Sequence, residues 1–145
     1  VEYHIHLRPV PENGDCLETR GHLDSYVRGD TPPCDSSMPQ TCEVGDLSGK
    51  YGTVSGPDVK KEYVILFLFL EKGKTACFYV TNAQFDPGYR FNDPYTAMNI
   101  IQLGYIGNRS IVFHDANGTR IACATLVKVA KEEVEGESEV EEESD

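Results

Sequence analysis

Ser110-Ile111-Val112-Phe113-His114-Asp115-Ala116-Asn117-Gly118-Thr119-Arg120-Ile121-Ala122-Cys123 is the stretch whose reading decides the fold. β-Branched and aromatic residues stand on both sides of Asn117-Gly118, a pair that favours the positive φ of a tight turn, so the stretch reads as strand, turn, strand. His114 and Arg120 then lie near the two mouths of one hairpin. The chain has four histidines, His4, His6, His22 and His114. A single strand histidine is more often structural than a ligand, so any metal argument rests on all four together.

Working outward, residues 1–10 read as a strand that starts at once. The period of two puts Tyr3 and Ile5 on one face and His4 and His6 on the other, where a His-x-His pair forms a two-point chelate. From Pro9 to Gly56 the chain is rich in Pro, Gly, Asp and Ser with little periodicity, which predicts a long functional loop. Such a loop needs staples, and Cys16, Cys34 and Cys42 are candidates; Gly21-His22 brings a third histidine close to the first of them. Glu43 and Asp46 offer carboxylates in one short turn, as a solvated polar loop or as acceptors for a ligating imidazole. Residues 62–80 read as a hairpin around Glu71-Lys72-Gly73-Lys74, its first arm apolar on both faces as in a buried strand. Residues 84–99, with Asp86-Pro87-Gly88 and Asp93-Pro94, read as loop, and Ile121 to Val129 as a strand. Neither an internal repeat nor a long helix is evident.

With 145 residues and 39% hydrophobic content, the chain has enough material for one domain with a real core. We place that domain at residues 1–130 and expect residues 131–145, which carry most of the net charge of −11, to be a disordered acidic tail. The near-neutral body offers no basic stripe, which argues against nucleic acid and anionic membrane surfaces as partners. The longest apolar run, Val64 to Leu70, is far short of a membrane helix. Five cysteines without zinc-module spacing, and the sequons Asn108-Arg109-Ser110 and Asn117-Gly118-Thr119, point to an oxidising, secreted or cell-surface setting.

These pieces, in this order, resemble the copper/zinc superoxide dismutase superfamily, most closely its extracellular copper-only branch. The residues that carry the resemblance are Tyr3-His-Ile-His-Leu-Arg-Pro-Val10, Cys16 with Gly21-His22-Leu23-Asp24, Cys42-Glu-Val-Gly-Asp-Leu-Ser-Gly-Lys-Tyr-Gly52, and Ser110 to His114 with Thr119 to Cys123. The resemblance implies an all-β Greek-key sandwich and dismutation of superoxide to dioxygen and hydrogen peroxide. It implies His4, His6, His22 and His114 as copper ligands, with His22 also catalytic because it holds the position that bridges two metals in the two-metal enzymes. Arg120 matches the arginine that attracts superoxide, and Cys16 and Cys123 match the family disulfide. Asp46 matches a zinc ligand, but the zinc histidines are missing and Glu43 stands where one would be. The link from His114 to Arg120 is also short, so copper without zinc is implied. Glu43 and Asp46 are then the acceptors for the free ring nitrogen of His22.

The family carries strands ahead of the first histidine pair, whereas this chain begins almost on it. Residues 62–80 then read as an inserted hairpin, and either that hairpin fills the missing sheet or the chain is an excerpt of a longer or mispredicted protein; we favour the excerpt, and so expect a sandwich incomplete at its N-terminus, with further domains of the same type as candidate partners. Cys34 and Cys42 are expected to form a second disulfide, and Cys77 to be a buried free thiol. Tyr26 and Tyr51 are read as packing residues near the site. Two other functions fit parts of the pattern: a non-catalytic extracellular module of the same fold, and a mononuclear zinc hydrolase. The complete histidine set with Arg120 favours the enzyme over the module, and no carboxylate is paired with a hydrolytic water to favour the hydrolase.

Overall fold

The computed structural model describes residues 1–53, 63–69, 76–82, 85–97 and 99–127, with the backbone alone between 63 and 91. Among the described residues, six strands, β1 (Glu2–His6), β2 (Tyr63–Phe69), β3 (Ala76–Asn82), β4 (Phe85–Asp93), β5 (Ser110–His114) and β6 (Arg120–Thr125), form two antiparallel sheets ordered β1-β5-β6 and β2-β3-β4. One short helix, α1 (Leu47–Tyr51), follows the long loop.

The quoted stretch folds as the alternation requires. β5 and β6 pair antiparallel with His114 opposite Arg120, and Gly118 supplies the positive φ of +79°. The connection is a five-residue loop rather than a two-residue turn. Asp115 Oδ1 accepts the N–H groups of Asn117 and Thr119, both at 2.9 Å, and the register shifts at Phe113 and His114. On the other edge of β5 lies β1, with His4 opposite Val112 and His6 opposite Ser110.

Alternation then divides the sheet into a core face and a site face. Tyr3 and Ile5 of β1 with Ile111 and Phe113 of β5 enter a core completed by Leu23, Val44, Leu47, Ile106 and Leu126. His4, His6 and His114 are left on the opposite face. Burying each of these large side chains stabilises the fold by about 1.5–3 kcal/mol.

The free edge of β1 is closed by the long loop. Leu7 N–H donates to Gly21 O (3.0 Å), Leu23 N–H to Ile5 O (2.7 Å), Gly45 N–H to Leu23 O (2.8 Å) and Ile5 N–H to Gly45 O (2.9 Å). Gly45 is required here by space: a Cβ at this position would lie 2.6 Å from Ile5 O. The same bonds bring His22 into a bridge beside His6, and carry Glu43 and Asp46 to the site on either side of Gly45.

Several expectations are corrected. The first strand is Glu2–His6, not residues 1–10, because Leu7 and Arg8 turn to bond Gly21 and Thr19. Residues 85–93 form β4 where a loop was expected. Pro87 and Gly88 fall at the register shift between the Asn82–Phe85 and Val80–Tyr89 pairs, on an edge strand, where a missing N–H is tolerated. The expected hairpin over 62–80 is therefore part of a three-stranded sheet. The last strand ends at Thr125 rather than Val129. The acidic tail, the 71–74 turn and the Cys77 side chain lie outside the described residues.

Candidate metal centre

β1 supplies His4 and His6, the loop beside it His22, and the end of β5 His114. One nitrogen from each lies within 4.8 Å of the others. His4, His6 and His114 are buried, while the His22 side chain keeps 32% of its surface exposed. The centre is therefore closed on the sheet side and open beside His22, where a cleft is lined by Arg28, Glu43, Asp46, Ser48 and Thr53.

Three of the rings are held through Nδ1. His6 Nδ1 donates to Arg20 O at 2.8 Å, His114 Nδ1 to Gly118 O at 3.2 Å, and His22 Nδ1 to Glu43 Oε2 at 2.9 Å. Each bond fixes the tautomer and leaves an Nε2 lone pair for a metal. His4 is turned the other way: its Nε2 faces Asp46 Oδ1 and Ser48 Oγ, each at 3.4 Å, and its buried Nδ1 has no hydrogen-bond partner.

Two features of this arrangement call for a cation. The Nε2 atoms of His6 and His114 face each other at 3.2 Å, although both rings carry their proton on Nδ1, so two lone pairs converge with no hydrogen between them. The orphaned Nδ1 of His4 adds a third. A metal ion among the four nitrogens satisfies all of them, and an all-imidazole donor set suits copper. Burial pushes the pKa of His6 down to about 3 and that of His114 in the same direction, despite their carbonyl partners, so both rings are neutral and able to ligate. Burial opposes ionisation of Asp46, but its bonds to His4 and the Gly49 N–H outweigh that and hold its pKa below the usual value.

Arg120 is fixed beside the centre. Its Nη1 donates to Cys16 O (2.8 Å), Thr19 Oγ1 (3.0 Å) and Leu17 O (3.3 Å), on a turn that the Cys16–Cys123 disulfide ties to β6. A second disulfide joins Cys34 to Cys42 in the loop that carries Glu43. The carboxylates divide their work differently from expectation: Glu43 holds His22, whereas Asp46 faces His4 and caps α1. Neither tyrosine reaches the centre's lining. Tyr51 packs against the core, and Tyr26, 68% exposed, lines a surface cleft with Val44, Tyr95 and Leu103.

Several contributors carried no local signal. Arg20 and Gly118 act through backbone carbonyls that any residue has. Ser48 reaches His4 from the turn after Asp46. Lys50 of α1 is buried in an ion pair with Asp93 and also donates to Val44 O at 2.9 Å, which fixes the helix that presents Asp46 and Ser48. The single lysine of α1 and the Asp93-Pro94 turn could not reveal that pairing, which spans 43 residues.

No protein-family model matches the chain. Its sequence is 39% identical over 127 residues to a cell surface Cu-only superoxide dismutase of Arthroderma benhamiae, covering 88% of this chain and 28% of that protein. It is 33% identical to the cell surface Cu-only superoxide dismutase 5 of Candida albicans, over 86% of this chain and 40% of the relative. The solved structure of Candida albicans superoxide dismutase 5 with Cu(II) superposes with a TM-score of 0.61 at 29% identity, over 90% of this chain and 64% of that one. The chain belongs to the copper-only superoxide dismutase family. Its fold is accordingly the superoxide-dismutase β-sandwich, and the cell-surface relatives agree with the extracellular placement read from the cysteines and sequons. The chain spans less than half the length of these curated relatives.

Proposed function

We propose that this copper-only superoxide dismutase family member is a catalytic domain that converts superoxide to dioxygen and hydrogen peroxide at a mononuclear copper site without zinc. The observation that carries this reading is the convergence of four imidazole nitrogens, including the orphaned His4 Nδ1 and the facing Nε2 atoms of His6 and His114. His4 through Nδ1 and His6, His22 and His114 through Nε2 would hold copper, which would supply the one-electron redox chemistry that oxidises one superoxide to dioxygen and, with two protons from solvent, reduces another to hydrogen peroxide.

The protein's own groups do the rest. The carbonyls of Arg20 and Gly118 lock two rings in place. Glu43, a carboxylate where the two-metal enzymes use zinc, holds the His22 Nδ1 proton and steadies the most exposed ligand as the charge of the centre changes. Arg120 presents a fixed positive charge that draws the superoxide anion, a local effect that matters in a chain of net negative charge.

The test is superoxide dismutation by the oxidised, copper-loaded chain, beside a zinc-loaded sample and Arg120→Ala. Copper-dependent activity that drops at least about tenfold in the variant, with copper still bound, is the expected outcome. A chain that binds copper at the four histidines and remains inactive is instead a non-catalytic module of this fold, and the reading fails.

A further inference from the structure

Asn117-Gly118-Thr119 forms the tip of the β5–β6 hairpin, and all three residues are exposed. The loop closes without the Asn117 side chain. Asp115 Oδ1 takes the N–H groups of Asn117 and Thr119, Gly118 N–H donates to Asp115 O at 3.0 Å, and Asp115 N–H donates to Thr119 O at 2.9 Å. Neither the carboxamide of Asn117 nor the hydroxyl of Thr119 takes part in a hydrogen bond among the described residues. Both sequon side chains therefore point to solvent from a backbone that keeps its shape whatever is attached to them.

The other sequon is built differently. Asn108 is exposed, but Ser110 belongs to β5, where it pairs with His6 and Thr125 and is 0% exposed. The intervening Arg109 is fastened by Nε to Tyr105 O (2.6 Å) and by Nη1 to Leu7 O (3.1 Å). Transfer of an oligosaccharide to asparagine needs the third-position hydroxyl together with the acceptor amide. Once the sheet has formed, the first sequon has hidden its hydroxyl, while the second still presents the whole acceptor.

We propose that Asn117 is an N-glycosylation site whose oligosaccharide stands at the rim of the candidate metal centre. The donor is a lipid-diphosphate-linked oligosaccharide of the secretory pathway. The Asn117 side-chain nitrogen forms the bond to the anomeric carbon and loses a proton to a base, while the bond from that carbon to the diphosphate oxygen breaks and the lipid diphosphate leaves with the electron pair. The attachment point lies between His114 and Arg120, which face each other across the hairpin. Gly118 O, next in the chain, anchors His114 Nδ1. A sugar on Asn117 disturbs neither contact, so it shields the loop while leaving the histidine in place. The inference does not depend on whether the centre is catalytic.

The experiment is secretion of the full chain from a eukaryotic host, followed by enzymatic removal of N-glycans in heavy-oxygen water and peptide mass mapping. The expected result is conversion of Asn117 to heavy-oxygen-labelled aspartate. Asn117→Gln and Thr119→Ala should each lower the intact mass by one glycan with unchanged circular dichroism, because neither side chain holds the loop. Unlabelled Asn117 in the secreted chain, including a chain labelled at Asn108 alone, overturns the proposal.

Discussion

Replacing Lys50 with methionine keeps the aliphatic stem and removes only the ammonium group. That group is fully buried, as is the carboxylate of Asp93 that it meets. It also donates to Val44 O and lies 5.0 Å from the centre of the Tyr95 ring. In Lys50→Met, Asp93 keeps its bonds from the N–H groups of Tyr95 (2.7 Å) and Thr96 (3.0 Å) but loses its counter-charge. Leaving one member of a buried pair unmatched costs about 3–5 kcal/mol. The assay is urea unfolding with both disulfides intact, followed by circular dichroism. At an m-value of about 2 kcal/mol per molar urea, the midpoint should fall by roughly 2 M. Asp93→Asn on the same background removes the stranded charge and retains the Oδ1 acceptor, so the double variant should be more stable than the sum of the singles by about 1–3 kcal/mol. A loss below about 1 kcal/mol in Lys50→Met, or simple additivity in the double variant, would refute the assignment of this pair as the anchor of α1.

Glu43→Gln replaces the charged acceptor at His22 Nδ1 with a neutral one, and copper affinity or dismutation should fall by about 10–100-fold, measured by competition with a chelator and by activity. Gly45→Ala drives a methyl group against Ile5 O, which is backbone and cannot swing aside; the expected loss is about 1–3 kcal/mol in urea unfolding, with weaker copper binding because Glu43 and Asp46 shift together. The copper-free chain should lose stability as the pH is lowered. The folded pKa of His6, about 3, lies below the ordinary 6.5, so between these values the unfolded chain binds the proton and the folded chain does not. His114 acts in the same direction, so the urea midpoint should drop from pH 6.5 downwards, by up to about 1.4 kcal/mol per pH unit for each histidine. A midpoint that stays level or rises over this range would contradict the burial of the two rings.

The sequence by itself determined the hairpin of residues 110–123, the two-faced β1 and the identity of the candidate ligands. Alternation with period two is a local property, and the His-x-His spacing needs no partner to be read. It also carried the cysteines and the Glu43/Asp46 turn, because their order along the chain matches the family's. What tertiary structure alone decided is how these pieces meet. Closure of the β1 edge by Gly21, Leu23 and Gly45 sets which carboxylate reaches which histidine, so Asp46 goes to His4 and Glu43 to His22. β4 was hidden because Asp86-Pro87-Gly88 has turn chemistry, and only pairing with β3 at an edge makes a strand with a bulge the better solution. The Lys50–Asp93 pair and the carbonyls of Arg20 and Gly118 are contacts between distant or side-chain-independent groups, so no local pattern can announce them.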